Sequence, residues 1–201
     1  MANIRLETER LILREYRWTD LEDHHRLIAD PEIMYYIQDV FSRSIEESEE
    51  NLRNAMADIE NPDRTKVYLV IQTKEGSYVG GIGYTVSEIN PAGKRVEIGY
   101  FTDPAFWGSG YATEALGALV RFAFCQDGVY RIDGTCIREN TRSRRVMEKC
   151  GMEFEGERRN FEWHHEKLKG RCFFGLLKEE WEGRQNGCEA GDLPAEERQE
   201  I

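Results

Sequence analysis

Between Glu97 and Ala115 the chain reads Glu97-Ile98-Gly99-Tyr100-Phe101-Thr102-Asp103-Pro104-Ala105-Phe106-Trp107-Gly108-Ser109-Gly110-Tyr111-Ala112-Thr113-Glu114-Ala115. A strand is expected from Arg95 to Phe101. The three-and-four spacing of Ala112, Ala115, Leu116, Leu119, Phe122 and Ala123 predicts a helix from about Gly110 to Cys125. A strand, a glycine-bearing loop and a helix in direct succession aim several unpaired N–H groups at one point. There the helix dipole favours negative charge by about 0.3 to 2 kcal/mol. Gly108 and Gly110 let a bulky anion approach the main chain with no Cβ in the way. The pair resembles the opening of a dinucleotide fingerprint, but Thr113 stands where the third glycine belongs. The segment also follows a meander instead of opening a βαβ unit, so dinucleotide binding of that kind is not expected.

The flanking pattern supplies the rest of the fold. Leu11 to Tyr16 reads as a strand, and Thr19-Asp20-Leu21-Glu22 fits a capping box opening a helix that stops before Pro31. Ser44-Ile45-Glu46-Glu47 repeats the signal for a second helix, ending at Asn61-Pro62. Val67 to Thr73, Tyr78 to Ser87 and Arg95 to Phe101, joined by turns at Lys74-Glu75-Gly76-Ser77 and Asn90-Pro91-Ala92-Gly93, predict an antiparallel meander. After the central helix come a strand over Tyr130 to Ile137 and a short helix through Ser143, Val146, Met147 and Cys150, closed by Gly151. Strands over Met152 to Phe161 and Arg171 to Leu177 follow. The expected order is β-α-α-β-β-β-α-β-α-β-β. From Gly183 on, apolar residues become scarce, which predicts an acidic, disordered tail over 183–201 behind a single domain over 1–182.

Charge narrows the function classes. Lys and Arg number 27 against 38 Asp and Glu, a net charge of −11, and a field of that sign repels phosphate backbones, so nucleic acid is a poor partner. The charge is uneven: Arg138 to Lys149 holds five bases against Glu139 and Glu148. No apolar run is long enough to span a bilayer and the first ten residues are charged, so neither a membrane nor secretion is expected and the cytoplasm is. Five cysteines without C-x-x-C spacing fit reduced thiols. His24-His25 and His164-His165 lack spaced partners for a metal set, so packing or surface roles, and no metal, are expected.

Strand Glu97–Phe101, the loop Trp107-Gly108-Ser109-Gly110-Tyr111-Ala112, Asn140-Thr141-Arg142-Ser143 and Glu148-Lys149-Cys150-Gly151-Met152 together resemble the GNAT superfamily of acyl-CoA-dependent N-acetyltransferases. More narrowly they are similar to its RimJ/RimL-like group, which acetylates protein N-terminal amines. The resemblance extends from the opening Leu6-Glu7-Thr8-Glu9-Arg10-Leu11-Ile12-Leu13-Arg14 to Leu176-Leu177-Lys178-Glu179-Glu180-Trp181. It implies an α+β fold with a mixed, mostly antiparallel sheet, splayed where the acyl-CoA enters and covered by helices on both faces. It also implies acetyl-CoA as co-substrate. Trp107, Gly108, Ser109, Gly110, Tyr111, Ala112 and Thr113 would supply amides around the CoA pyrophosphate. Tyr100, Phe101 and Thr102 would offer main chain to the pantetheine arm, and Asn140 and Ser143 would stand near its reactive end. Two positions depart from the family pattern. Trp107 replaces a glutamine or arginine, and Met147 replaces a tyrosine that protonates the leaving thiolate.

Amide formation from a thioester needs a neutral amine and a proton for the sulfur. Glu97, opposite in facing to Val96 and Ile98, is the candidate base, and Ser143 the best remaining acid or thiolate donor. An α-amine of pKa about 8 is roughly one-tenth neutral at pH 7, whereas a lysine is some 300-fold less so, which favours N-terminal amines. Tyr35 and Tyr36 fall in the substrate-facing connection of the resembling fold and are candidate substrate contacts. A peptide N-terminus and a small-molecule amine both stay open as acceptors, as do a non-catalytic acyl-CoA-binding role and a homodimer.

Overall fold

The chain opens with β1 (Arg5–Glu7) and β2 (Leu11–Glu15), then a 3-10 turn (Trp18–Asp20), α1 (Leu21–Ile28), a second 3-10 turn (Ile33–Tyr36) and α2 (Ile45–Met56). β3 (Lys66–Thr73), β4 (Tyr78–Asn90) and β5 (Gly93–Thr102) lead through a third 3-10 turn (Pro104–Phe106) and the glycine loop into α3 (Tyr111–Gln126). β6 (Val129–Ile137), α4 (Thr141–Lys149), β7 (Glu153–His164), β8 (Lys167–Leu177) and α5 (Lys178–Glu189) complete a computed structural model that describes residues 4–61 and 63–189. The eight strands form one sheet in the order β1-β2-β3-β4-β5-β6-β8-β7, antiparallel at every step except β5 against β6.

One face of the sheet, with Leu69, Ile71, Val96, Ile98, Ile132 and Phe174, packs on Leu116, Leu119, Val120 and Phe124 of α3 and Met147 of α4. The other face carries Tyr16, Val70 and Tyr78 against Leu27 of α1 and Leu52 of α2. This is the α+β architecture expected, with helices on both sides. The meander β3-β4-β5 and the cap of α2 also follow the sequence: Ser44 Oγ accepts the Glu47 amide at 3.2 Å and Glu47 accepts that of Arg43 at 2.6 Å.

Four elements differ from expectation. β1 pairs with β2 although its three residues are too few to show a period. Thr19 does not cap α1. Asp20 instead accepts the Arg17 amide at 2.8 Å and pairs with Arg14 at 2.7 Å, forming the 3-10 turn from which the helix starts two residues later. β7 and β8 run on past Phe161 and before Arg171 to a tight turn at His165 and Glu166, whose φ angles of 43° and 62° are left-handed without a glycine to announce them. Finally, the acidic segment does not lose its structure at Gly183. α5 carries the chain to Glu189, and Arg184 donates to the Gly151 carbonyl and to Glu153 at 2.9 Å. Residues 190–201 lie outside the described residues.

Candidate active site

The parallel register of β5 with β6 ends at Glu97 and Asp133. Beyond it β5 stays on β4 as far as Thr102, β6 stays on β8 as far as Ile137, and the two strands part. One edge of Ile98–Thr102 is therefore left without a strand partner, and its N–H and C=O groups face the gap. Met147 of α4 seats in the fork because Gly134 has no side chain: a Cβ there would lie 2.7 Å from the Met147 sulfur and 3.3 Å from Ile98. A cavity of about 850 Å³ occupies the gap. Every residue expected at the site borders it except Ser109.

At one end the cavity meets the glycine loop. Gly108 and Gly110 hold φ angles of 78° and 86°, the left-handed region that disfavours other residues, and Gly110 is the residue from which α3 starts. The loop's amides divide into two sets. The Trp107 N–H goes to the Pro104 carbonyl at 3.0 Å, that of Ser109 to Phe106 at 3.3 Å, and that of Tyr111 to Ser109 Oγ at 3.4 Å. Those of Gly108, Gly110, Ala112 and Thr113 have no protein acceptor among the described residues. Four amides of the expected seven-residue run are thus left free at the helix start, and the Ser109 hydroxyl is spent on the Phe106 carbonyl at 2.5 Å.

Trp107 is held by its indole N–H, which donates to the Thr102 carbonyl at 3.0 Å, so that carbonyl is already engaged. The Arg142 guanidinium stacks 4.1 Å above the same ring. Arg142, Arg145 and Lys149 follow one another at i, i+3 and i+7 on α4 and all border the cavity. They carry the local basic excess visible in the sequence, where none of the run's basic residues is singled out as a site residue.

At the fork itself, Glu97 is exposed between buried Val96 and Ile98, on the opposite face of β5, with its Oε1 3.4 Å from the Thr135 hydroxyl. Thr135 also accepts from Arg171 at 2.7 Å, and Arg171 pairs with Glu162. Asn140 caps α4, its Oδ1 accepting the Ser143 amide at 3.1 Å. The Ser143 hydroxyl lies 2.9 Å from the Tyr100 hydroxyl, which in turn reaches the Ser143 carbonyl at 3.1 Å. Burial pushes the Tyr100 phenol well above its ordinary value, with the Ser143 hydrogen bond opposing, so it stays protonated throughout the working pH range. Sequence reasoning assigned Tyr100 by its main chain only. The hydroxyl pair comes from the crossing of β5 with α4 and leaves no local signal.

Tyr35 and Tyr36, in the second 3-10 turn, border the same cavity together with Glu32 and Asp39. Their rings pack on the β7–β8 turn: Tyr35 stacks on His165 at 4.5 Å and Tyr36 on His164 at 6.1 Å. His24 is buried, its Nε2 2.9 Å from the Asn51 side-chain oxygen, and His25 lies 2.7 Å from the Ser48 hydroxyl. All four histidines thus sit in packing positions, and no group of three or more His, Cys, Asp or Glu among the described residues is arranged to hold a metal. Burial raises the Cys136 and Cys150 thiols to about 11, so both stay protonated. No helix among the described residues is long and apolar enough to cross a membrane.

The family described as the acetyltransferase (GNAT) domain matches residues 10–153. The uncharacterized N-acetyltransferase YnaD of Bacillus subtilis (strain 168) is 30% identical over 183 residues, covering 88% of this chain and 98% of its own length. Among solved structures, spermidine N-acetyltransferase from Vibrio cholerae in complex with CoA and spermine superposes with a TM-score of 0.75 at 21% identity, covering 87% of this chain and 99% of that one. RimL, the ribosomal L7/L12 alpha-N-protein acetyltransferase in complex with coenzyme A, superposes with a TM-score of 0.73 at 18% identity, covering 87% and 98%. With this family match and this relative, the chain belongs to the GNAT acetyltransferase family as an acetyl-CoA-dependent enzyme.

Proposed function

We propose that the chain acetylates a primary amine by direct attack within a ternary complex, and that the amine is a protein or peptide N-terminus, as in the RimJ/RimL-like group. The observation that carries this reading is the parting of β5 from β6 immediately after Glu97, with four free amides at the other end of the same cavity. One strand thereby spans a place for an anion and a place for proton transfer.

The residues present fit acetyl-CoA. A Cβ at Gly99 or Gly108 would meet nothing within 4 Å, which leaves room beside the strand edge and the loop. Gly108, Gly110, Ala112 and Thr113 would hold the pyrophosphate by their amides, with Trp107, Tyr111 and the α4 cations Arg142, Arg145 and Lys149 around the phosphates. Ile98 to Phe101 would pair main chain with the pantetheine, and Asn140 and Ser143 would stand beside the thioester end. When bound, acetyl-CoA supplies an activated acyl group. Glu97 takes the proton of the incoming ammonium, directly or through water. The Tyr100–Ser143 hydroxyl pair would stand beside the sulfur of a bound thioester and, with the phenol protonated, would donate a hydrogen bond to the departing thiolate in place of the acid absent at Met147. The second proton that the attacking nitrogen sheds would pass through this pair or water to that thiolate, giving the free CoA thiol. Tyr35 and Tyr36 form the acceptor's wall.

A small polyamine is the second reading, favoured by the Glu32 and Asp39 carboxylates at the acceptor end and by the likeness to the spermidine enzyme. A panel of N-terminal peptides and small amines, assayed by release of the CoA thiol, decides between them. Turnover of peptides and not of polyamines supports the first. The reverse supports the second, and acetyl-CoA binding without turnover of any amine restores the non-catalytic role.

A further inference from the structure

The first turn of α3 carries an acid where an anion site least tolerates one. Glu114 follows Thr113, whose amide belongs to the cradle; its carboxylate lies against Thr8 and Arg10 and does not line the cavity, but an uncompensated charge on the same helix turn still opposes a diphosphate. Burial would raise its pKa, yet hydrogen bonds from the Thr8 hydroxyl and from the Arg10 backbone and side chain overcome this and hold it lower, so it is ionised at neutral pH. The Arg10 guanidinium meets this charge. Its Nε lies 2.7 Å from Glu114 Oε2 and its NH2 2.6 Å from the same oxygen, while the Arg10 amide reaches Oε1 at 2.9 Å and the Thr8 hydroxyl reaches it at 2.6 Å. The same guanidinium donates to the Ser109 carbonyl at 3.0 Å and sits 4.6 Å from the centre of the Tyr111 ring. It also lies 3.5 Å from the point a Cβ on Gly110 would occupy. One side chain, delivered by the turn between β1 and β2, thus touches both glycine-loop flanks and cancels the only carboxylate in the first turn of the helix.

We propose that Arg10 is a positioning residue for the cofactor: it neutralises Glu114 and fixes the Ser109–Tyr111 main chain, so that the four free amides present an uncompensated positive site to the CoA diphosphate. The proposal rests on the reading of the glycine loop as the diphosphate cradle. It predicts that charge balance, more than the guanidinium's own contact with ligand, sets the affinity. Glu114 without Arg10 is the damaging state, and loss of both is tolerated.

The test is calorimetric titration of acetyl-CoA into the folded full chain and its variants, with KM and kcat measured on the best amine from the panel. Arg10→Gln is expected to weaken acetyl-CoA by about tenfold and to raise its KM likewise, with kcat at saturation nearly unchanged. The defect shrinks in high salt, because screening weakens the repulsion between the half-buried Glu114 charge and the diphosphate. Arg10→Lys, which keeps the charge, and the double variant Arg10→Gln/Glu114→Gln are expected within about threefold of wild type. Wild type that fails to bind acetyl-CoA refutes the cradle reading itself. Wild type that binds while Arg10→Gln binds equally well overturns only the role of Arg10. A double variant as weak as Arg10→Gln also overturns it, showing a direct or merely structural contribution. Should Arg10→Gln fail to fold, the lysine and double variants carry the test, and weakness in either counts against the proposal.

Discussion

Glu97 sits at the last residue pair that β5 and β6 share, so its backbone is fixed by two neighbours while its exposed carboxylate accepts, among the described residues, only from the Thr135 hydroxyl, at 3.4 Å. Position, and no unusual burial, makes it the candidate base. Glu97→Gln keeps size and hydrogen bonding but cannot accept a proton, and turnover at pH 7 is expected to fall about 10²- to 10⁴-fold with acetyl-CoA affinity intact. As pH rises through about 8 an α-amine supplies its own neutral form, so the variant should recover part of the loss. Single-turnover rates from pH 6 to 9.5 check this, and a profile parallel to wild type removes Glu97 from proton transfer. The Tyr100–Ser143 pair is argued differently. Tyr100→Phe removes a hydroxyl that is protonated at every working pH, so its rate defect should be constant from pH 6 to 9 instead of following a titration. Ser143→Ala leaves the Tyr100 hydroxyl bonded to the Ser143 backbone carbonyl and should cost less. A Tyr100→Phe defect that appears only above or below a given pH contradicts the hydrogen-bonding role.

At the scale of elements, the helix starts decide the chemistry, and they differ in how far the sequence reveals them. The α3 start is legible because Gly108 and Gly110 interrupt two strong periodicities, strand before and helix after. What a linear reading misses is that Ser109, between them, bonds backward to Phe106 and that Trp107 and Tyr111 spend their amides locally. Those bonds depend on the 3-10 turn over Pro104–Phe106, whose cap is the Asp103 side chain accepting from Ala105 at 2.9 Å. Likewise Asn140 is expected at the site from the resemblance and borders the cavity; its capping of the Ser143 amide is local, three residues on, whereas the crossing that brings Ser143 to Tyr100 is tertiary. The Tyr35, Tyr36, His164 and His165 cluster joins two stretches more than 120 positions apart through a hairpin turn with no glycine. The cradle can be probed at Gly108, where a Cβ meets nothing and Arg10 is not adjacent, unlike at Gly110. Asp tolerates left-handed φ nearly as well as Asn and has nearly its shape, so Gly108→Asn and Gly108→Asp differ chiefly in charge. The aspartate variant is expected to bind acetyl-CoA at least about tenfold more weakly than the asparagine variant, read by titration at low salt. Equal affinities place the diphosphate elsewhere.

The whole molecule is one sheet whose two halves diverge, and the helices and turns between β2 and β3 are tied to it by buried imidazoles. His24 links α1 to Asn51 of α2 and packs edge-on against Tyr16, the residue after β2, at 5.1 Å. His164, at the end of β7, anchors the turn bearing Tyr35 and Tyr36 and has its Nε2 buried without a partner among the described residues. Burial lowers the pKa of both, with the Asn51 bond opposing at His24 and the neighbouring His165 reinforcing at His164. A histidine whose folded value lies below its unfolded value of about 6.5 takes up protons more readily when unfolded. Its contribution to stability is full above pH 6.5 and is lost as pH falls from there through the folded value. The melting temperature is therefore expected to drop between pH 7.5 and pH 5.5, although acid also reduces the net charge of −11 and so relieves self-repulsion. His24→Gln retains a donor for Asn51 but cannot titrate. It should start lower at pH 7.5, because the ring contacts with Tyr16 are gone, and lose fewer degrees on acidification than wild type. Thermal unfolding of both proteins at the two pH values measures the difference directly, without the amine acceptor's own protonation entering. Equal losses in the two proteins mean that His24 is not among the groups whose proton uptake destabilises the fold.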